Sequence, residues 1–247
     1  MPNHCENHTT FQGSLTDIEA ILAIINSTKV PAISNLVPMP AELRDIESRF
    51  SDDATLPKWV EEKYANGEMT ADEYNERVSE VERLSAAYAS NRAKYGYKDW
   101  YDWATADENW GTKWGDYDHF GEYPKIEPEY QNLSQLSFSY QTAWGPFSES
   151  FWLKVSEQFP NVLIINSYSE SGMCFMGAIA VRNGQAFEAH DSDIFDGFPE
   201  DGEADDYDQK YMDYIEKLDD RRSELQDICG NALLSYEDNN ETRKEGV

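Results

Sequence analysis

The chain is short of positive charge: 20 lysines and arginines stand against 48 aspartates and glutamates over 247 residues, a formal net charge of −28. A surface this acidic repels nucleic acid and anionic membrane, and it attracts basic protein surfaces or cations. Cysteine is scarce too. Cys5, Cys174 and Cys229 are odd in number and far apart, where a secreted chain of this size would show an even framework, so reduced thiols in a cytosol are expected. Long apolar runs are missing; the longest, Met173 to Val181, is too short to span a bilayer. The opening MPNHCENHTTFQGS has neither the basic start nor the apolar core of a signal peptide. The expected setting is cytoplasmic.

Catalytic signatures are missing as well. There is no G-x-S-x-G, H-E-x-x-H, phosphate-binding Walker loop or Cys-x-x-Cys. His190 beside Asp191 and His119 beside Asp118 are adjacent in sequence, and neighbours on a strand point opposite ways, so adjacency makes no acid–base pair. His4, Cys5 and His8 bring three metal-ligand types close together, but zinc sites use two spaced pairs and no second close pair follows. Strand packing is their expected use. No enzyme, metal or cofactor is expected, and a metal-dependent enzyme is the least favoured class.

What is present suffices for a core: 40% of residues are hydrophobic and 13% aromatic. His8 to Phe11 reads as a short strand. Thr16 and Glu19 have capping-box spacing, ahead of a helix with Ile18, Ile21, Leu22 and Ile25 on one face. Lys29 to Pro40 reads as a loop, and Ala41 to Arg49 and the stretch after Pro57 as short helices. Thr70 and Glu73 open the clearest helix, which carries Tyr74, Val78, Val81, Leu84, Tyr88 and Tyr95 and stops at Gly96. Further on, Leu136, Phe138 and Tyr140 alternate with Ser137, Ser139 and Gln141 as in a half-buried strand. Phe147, Phe151, Val155 and Phe159 mark a helix. Strands follow at Val162 to Ile165, Met173 to Arg182 and Gln185 to His190, the last two joined by the hairpin signal Asn183-Gly184. Tyr211, Tyr214, Ile215, Leu218, Leu225 and Ile228 define a last helix, with a frayed tail expected from Asn239. The order predicts an α+β domain with a sheet covered by two helices. Its divisions are 1–30 (first β-α unit), 31–132 (helical insertion), 133–191 (rest of the core), 192–209 (acidic loop) and 210–238 (C-terminal helix).

Two stretches stand out chemically. Asp99 to Asp118 holds four of the seven tryptophans and a single cation, Lys113. Trp100, Trp103 and Trp110 suggest a short helix stopped by Gly111, forming the second arm of a helical hairpin over Gly67 to Gly115. Lys113, between two indoles, is either a cation–π clamp or ligand contact, or a lysine whose stem covers rings while its ammonium reaches water. Trp110, Lys113, Trp114 and Trp144 are the candidate ligand-binding set, with a structural plug as the preferred alternative. The second stretch, Glu188 to Asp208, has ten carboxylates and no lysine or arginine. Asp191 and Asp193 open like a calcium loop, but the third carboxylate, Asp196, and Gly197 fall one place late, and Gly202 stands where a bidentate glutamate belongs. A solvated acidic loop is expected. Its candidate partner-binding residues are Asp191, Asp193, Asp196, Glu200, Asp201, Glu203, Asp205, Asp206 and Asp208.

Several segments together resemble a family of phage, prophage and plasmid proteins with a YubB-type ferredoxin-like domain: MPNHCEN, PMPAEL, DWYDWATADENWGTKW, TAWGPF and FPNVLIINSYSESGMCFMG. They come from roughly the first 180 residues. Departures are His4 where the family has tryptophan, Gly115 ahead of Asp116 after WGTKW, and TAWGPF for a TAWSPP-like turn. The resemblance implies a ferredoxin-like core with a helical insertion and a mobile-element origin; it transfers no catalytic residues.

Charge and resemblance together suggest a non-enzymatic phage or mobile-element protein in the host cytoplasm. It would bind the basic surface of a host DNA-handling or defence protein and inhibit it, by DNA mimicry, without binding nucleic acid or membrane. The alternative is a protein that binds or sequesters a small nucleotide-like ligand with the tryptophan-rich stretch.

Overall fold

The computed structural model describes residues 3–49, 54–121, 125–128, 133–192 and 207–245, with the last helix as backbone only at 207–208 and 237–245. In chain order come β1 (His4–Ser14), α1 (Leu15–Ile25), a 3₁₀ turn (Ile33–Leu36), α2 (Ala41–Arg44), α3 (Lys58–Ala65), α4 (Ala71–Tyr95) and α5 (Trp100–Thr105). There follow β2 (Asp116–Phe120), β3 (Ile126–Pro128), β4 (Leu133–Ala143), α6 (Glu149–Gln158), β5 (Leu163–Glu170), β6 (Phe175–Arg182), β7 (Gln185–Ser192) and α7 (Tyr207–Glu245). They form two compact units, Pro38–Ala106 and the remainder.

The larger unit is built on one antiparallel sheet of order β2-β4-β1-β5-β6-β7, with β3 beside β4. Taking β1, β2, β4 and β5 as four core strands, with α1 and α6 as the crossovers, gives spatial order 4-1-3-2. That is the ferredoxin-like arrangement; β6 and β7 extend the sheet past β5. The fold is α+β, as expected.

Alternation along β1 sends Cys5, Asn7, Thr9 and Phe11 inward and Glu6 and His8 outward. The inner face meets Ile18, Ile21 and Ile25 of α1 and Phe151, Trp152 and Val155 of α6, all fully buried. Phe147 stacks on Phe151 at 4.1 Å between ring centres, and Trp152 stands edge-on to both rings. A polar network is sealed within this layer. Thr9 Oγ1 donates to Asn166 Oδ1 (2.7 Å) and lies 3.0 Å from the Tyr140 hydroxyl, while Asn7 Nδ2 donates to Thr142 Oγ1 (2.8 Å). Each member has a partner, which is the condition for burying polar groups at tolerable cost.

Sequence and structure differ at several points. Thr16 and Glu19 do not form a capping box: α1 starts directly after β1, and Ser14 Oγ accepts from Asp17 N (3.2 Å). Thr70 and Glu73 do form one. The tryptophan-rich helix ends at Thr105, short of Gly111, so the second arm of the expected hairpin is only six residues. The stretch assigned wholly to a helical insertion, 31–132, contains β2 and β3. β2 escaped the pattern because it is five mostly polar residues with Asp118 at φ +44° and a register shift between Tyr117 and Phe120. The 183–184 hairpin has positive φ at both Asn183 and Gly184, as a two-residue type I′ turn requires. α7 continues to Glu245, past the tail expected from Asn239.

The smaller unit is helical. Leu84, Tyr88 and Ala54 form its core with Ile46 and Val81. The Tyr88 hydroxyl donates to Glu47 O (2.7 Å) and accepts from Arg49 N (3.1 Å), and the nearly buried Lys98 donates to Arg49 O (3.0 Å). Asp99 Oδ1 caps α5 through Tyr101 N and Asp102 N.

At Gly177 the Tyr168 ring lies across the strand, and its hydroxyl donates to Glu188 Oε1 of β7 (2.5 Å). Burial first and the neighbouring carboxylate second push this phenol's pKa up, so it stays a donor. A Cβ at 177 would sit 2.4 Å from the Tyr168 hydroxyl oxygen and 2.9 Å from Ala189 O. Gly177→Ala is therefore expected to lower stability by about 1–3 kcal/mol in urea unfolding. Removing the ring with Tyr168→Ala in the same chain should make the two losses less than additive.

Candidate functional site

Three regions of the larger unit carry chemistry. The first is the segment Asn109 to Asp116, NWGTKWGD. Its backbone and side chains are used for attachment. Thr112 Oγ1 donates to Ala143 O (2.8 Å) and accepts from Ala143 N (3.1 Å) at the end of β4. The Ser148 N–H donates to Trp110 O (2.9 Å), Ser148 Oγ donates to Asn109 O (3.0 Å), and Lys154 Nζ of α6 reaches Asn109 Oδ1 (3.2 Å) and Glu108 O. Gly111, at φ +69°, is pressed against Ser148, where an added Cβ would sit 2.8 Å from Ser148 Cβ.

The four candidate ligand residues of this region separate. Trp110 is half-buried and its indole N–H donates to Val37 O (2.8 Å), so it is fixed in place. Trp114 and Trp144 remain exposed, at 44% and 51%. Lys113 Nζ stands 4.6 Å from the centre of the Trp114 ring, a cation–π distance. Trp114 continues edge-on to Tyr117 (5.9 Å) and Tyr117 edge-on to His4 (5.7 Å), giving a row of rings along β2 and β1. The Trp144 backbone N–H donates to the O of Asn3 (3.0 Å), the residue just before β1.

Asp116 is the fixed point of this region. Its side chain is fully buried; Oδ2 accepts from Ile33 N (2.7 Å) and lies 2.8 Å from His119 Nε2, and Oδ1 accepts from Ser34 N (2.8 Å). One carboxylate thus caps the 3₁₀ turn after α1 and holds β2. The carboxylate beside His119 is that of Asp116, three residues back, and not that of the adjacent Asp118, in keeping with the expectation that adjacency makes no pair. Asp191 pairs with Arg221 of α7 at 2.8 Å, and His190 Nδ1 lies 3.5 Å from the Tyr168 hydroxyl. Cys5 faces the opposite side of β1 from His4 and His8, and burial pushes its thiol up to about 12, so it stays protonated. Among the described residues no three His, Cys, Asp or Glu stand together as metal ligands.

The second region is acidic. Asp193, Asp196, Glu200, Asp201, Glu203, Asp205 and Asp206 lie outside the described residues, and of Asp208 only the backbone is described. Asp191, the remaining member of that set, is neutralised by Arg221. The sequence reading missed the regular carboxylate row on α7. Asp213, Glu216, Asp220, Glu224 and Asp227 are all exposed and spaced three or four apart. The opposite side of α7 is buried through Tyr214, Leu225, Cys229 and Leu233, so the row was readable as the polar half of the helix.

The third region is a groove of about 240 Å³ between the outer face of the sheet and α7, lined by Glu6, His8, Ser139, Ser167, Ser169 and Arg222 among others. It exists because the outer face is divided. On one rung, Ser139, His8 and Ser167 continue into Ala178 and Ala189 across β4, β1, β5, β6 and β7. α7 packs Leu225, Cys229 and Leu233 on Met176, Ala178 and Ala180 and leaves the hydroxylated half open. His8 Nδ1 lies 2.9 Å from Ser139 Oγ, and Arg222 donates to Asp219 (3.0 Å) and reaches Ser169 Oγ (3.4 Å). Ser167 is 2% exposed and its Oγ has no hydrogen-bond partner. Leaving a buried hydroxyl unpaired costs about 1–3 kcal/mol. The alternation of Ser137, Ser139 and Gln141 on β4 was the visible part of this face in the sequence; the role of β5 and α7 was not visible.

Residues 109–214 match the family model described as the ferredoxin-like domain in Api92-like protein. A solved structure, that of a protein api92 from Yersinia pseudotuberculosis, is similar at 10% identity and a TM-score of 0.38, covering 76% of this chain and 98% of that one. No curated protein matches the chain. The matched segment runs from the NWGTKWGD attachment through the sheet strands β2 to β7 into α7.

Two outcomes are expected. Asp116→Ala should destabilise the protein by about 2–4 kcal/mol in urea unfolding, since two backbone N–H groups lose a charged acceptor, and Asp116→Asn should cost less. The pKa of His8 is held below its ordinary 6.5, first by partial loss of water on the sheet face, although the residue stays open to solvent on one side, and then by the Arg222 guanidinium. The unfolded chain therefore binds a proton there more readily than the folded one. This cost is absent above pH 6.5 and grows as the pH falls below it. His8→Asn should flatten that part of the stability–pH curve, with Glu6, Arg222 and Asp219 left in place.

Proposed function

We propose that this chain is a non-enzymatic binding protein of phage or mobile-element origin, related to the YubB-type domains and acting in the host cytoplasm. Its acidic face docks on a basic surface of a host DNA-handling or defence protein and blocks the site where DNA would lie. The observation that supports this reading best is the α7 row of Asp213, Glu216, Asp220, Glu224 and Asp227, on a chain of net charge −28. At about 1.5 Å of rise per residue the row is roughly 21 Å long. One carboxylate about every 5 Å approaches the density of one DNA strand, which presents a phosphate about every 3.4 Å of axis. Arg221, bonded to Glu224 at 2.7 Å, lightens one edge of the row. The carboxylates are set on one helix, with the exposed Lys217 beside them, and their spacing suits repeated contacts to lysines and arginines in a phosphate-binding groove. The ten carboxylates from Glu188 to Asp208 add to the same surplus of negative charge.

A second reading draws on Trp114 and Trp144. Both are exposed, and the Lys113–Trp114–Tyr117–His4 row offers ring faces and a cation to a nucleotide-like ligand. Trp110 cannot stack there while its indole holds Val37 O.

The test is capture from host lysate by the full chain, read by mass spectrometry, beside a variant with Asp213→Asn, Glu216→Gln, Asp220→Asn, Glu224→Gln and Asp227→Asn. The expected result is a basic partner retained at about 50 mM salt, lost at about 500 mM, where the Debye length shrinks to a few ångströms, and lost with the variant at low salt. Retention by the neutralised variant, or tight binding of this chain to DNA at physiological salt, would refute the reading.

A further inference from the structure

The groove on the outer face is separate from the α7 carboxylate row and is not used by the function proposed above. Its chemistry is specific in three ways. Ser167 lines it, more than nine-tenths buried and with its hydroxyl unpartnered. Glu6 and Arg222 bring opposite charges to the same small space. They flank Ser169, which pairs with Glu6 across β1 and β5 and lies 3.4 Å from Arg222, yet no ion pair joins the two. His8 and Ser139 are held to each other at 2.9 Å, leaving the far side of the imidazole toward solvent.

Charge and volume narrow the ligand. A net charge of −28 opposes entry of a simple anion, and Asp219 already occupies part of the Arg222 guanidinium. A simple cation would satisfy Glu6 and leave Ser167 and Arg222 idle. About 240 Å³ is below the usual range for drug-sized ligands and excludes a nucleotide. A molecule with both charges on a short skeleton answers all the groups at once. We propose that this groove binds a small zwitterion of the amino-acid class, its carboxylate on Arg222 and the Ser167 hydroxyl and its ammonium on Glu6.

The bound carboxylate accepts from Ser167 Oγ, supplying the partner that this hydroxyl lacks, and from the free side of the Arg222 fork. Glu6 accepts from the ammonium. The His8–Ser139 pair forms the floor, and the ligand's own side chain points out of the mouth.

The experiment is an amide NMR titration of the full chain with L-alanine and L-methionine, with acetate and ethylammonium as half-ligand controls at matched ionic strength. The expected result is saturable shifts confined to Glu6, His8, Ser167 and Ser169, with each half-ligand about tenfold weaker or worse. Ser167→Ala and Arg222→Gln should each weaken binding about tenfold. Ser167→Ala should leave thermal stability unchanged or raised, since it deletes an unpaired buried hydroxyl. Glu6→Gln should abolish the preference for the amino acid over acetate. No saturable shift with either amino acid up to about 10 mM, where a complex of about 1 mM Kd would be near saturation, overturns the proposal. So does binding that survives Ser167→Ala and Arg222→Gln, or acetate binding as tightly as the amino acids.

Discussion

β1 is hydrogen-bonded along both edges, to β4 over its whole length and to β5 from Cys5 to Gln12, and that double pairing constrains the rest of the larger unit. A strand in this position has no freedom of register, because a slip by one residue would turn Cys5, Asn7, Thr9 and Phe11 to the outer face and Glu6 and His8 into the core. The buried network makes the same demand, since Thr9 and Asn7 reach partners on both neighbouring strands and a slip would leave several buried polar groups unpaired. The 4-1-3-2 order follows once β1 is central and two helices cross on one face.

The two faces are finished differently. The inner face is closed by α1 and α6 with isoleucines and aromatic rings, each burial contributing roughly 1.5 to 3 kcal/mol. The outer face is apolar only toward β6 and β7, and α7 follows that boundary: its buried side matches the alanines and Met176, and its exposed side carries carboxylates. The groove and the acidic row are therefore two consequences of one helix covering half a face. The NWGTKWGD segment and Asp116 hold β2 and the start of α6 in place from the other end of the sheet, so Asn109 to Thr112 serve attachment, while Trp114, and Trp144 after β4, are left exposed.

Much of this was legible in the chain itself. The period of two in β4, the four-residue recurrence in α6, the Asn183-Gly184 hairpin and the Thr70–Glu73 capping box are local signals with local causes, and each appears where the pattern put it. β2 was illegible because a bulged five-residue strand has no alternation to read; its identity rests on pairing with β4, which is a long-range fact. The short α5 misled for the opposite reason: Trp100, Trp103 and Trp110 fit a helical face, but Trp110 is held by Val37 O and belongs to a turn. The groove joins residues more than two hundred positions apart, from Glu6 to Arg222, and no spacing rule reaches so far. The α7 carboxylate row was readable as a periodic pattern and was overshadowed by the denser acidic run before it.

If β1 is the spine on which both faces depend, residue-resolved hydrogen exchange shows it most directly. Amides of Asn7 to Phe11 should exchange only through global unfolding, at the slowest rates in the chain and together with their partners in β4 and β5, while β2 and β3 open locally and faster. Exchange in β1 as fast as in β2 would contradict the account.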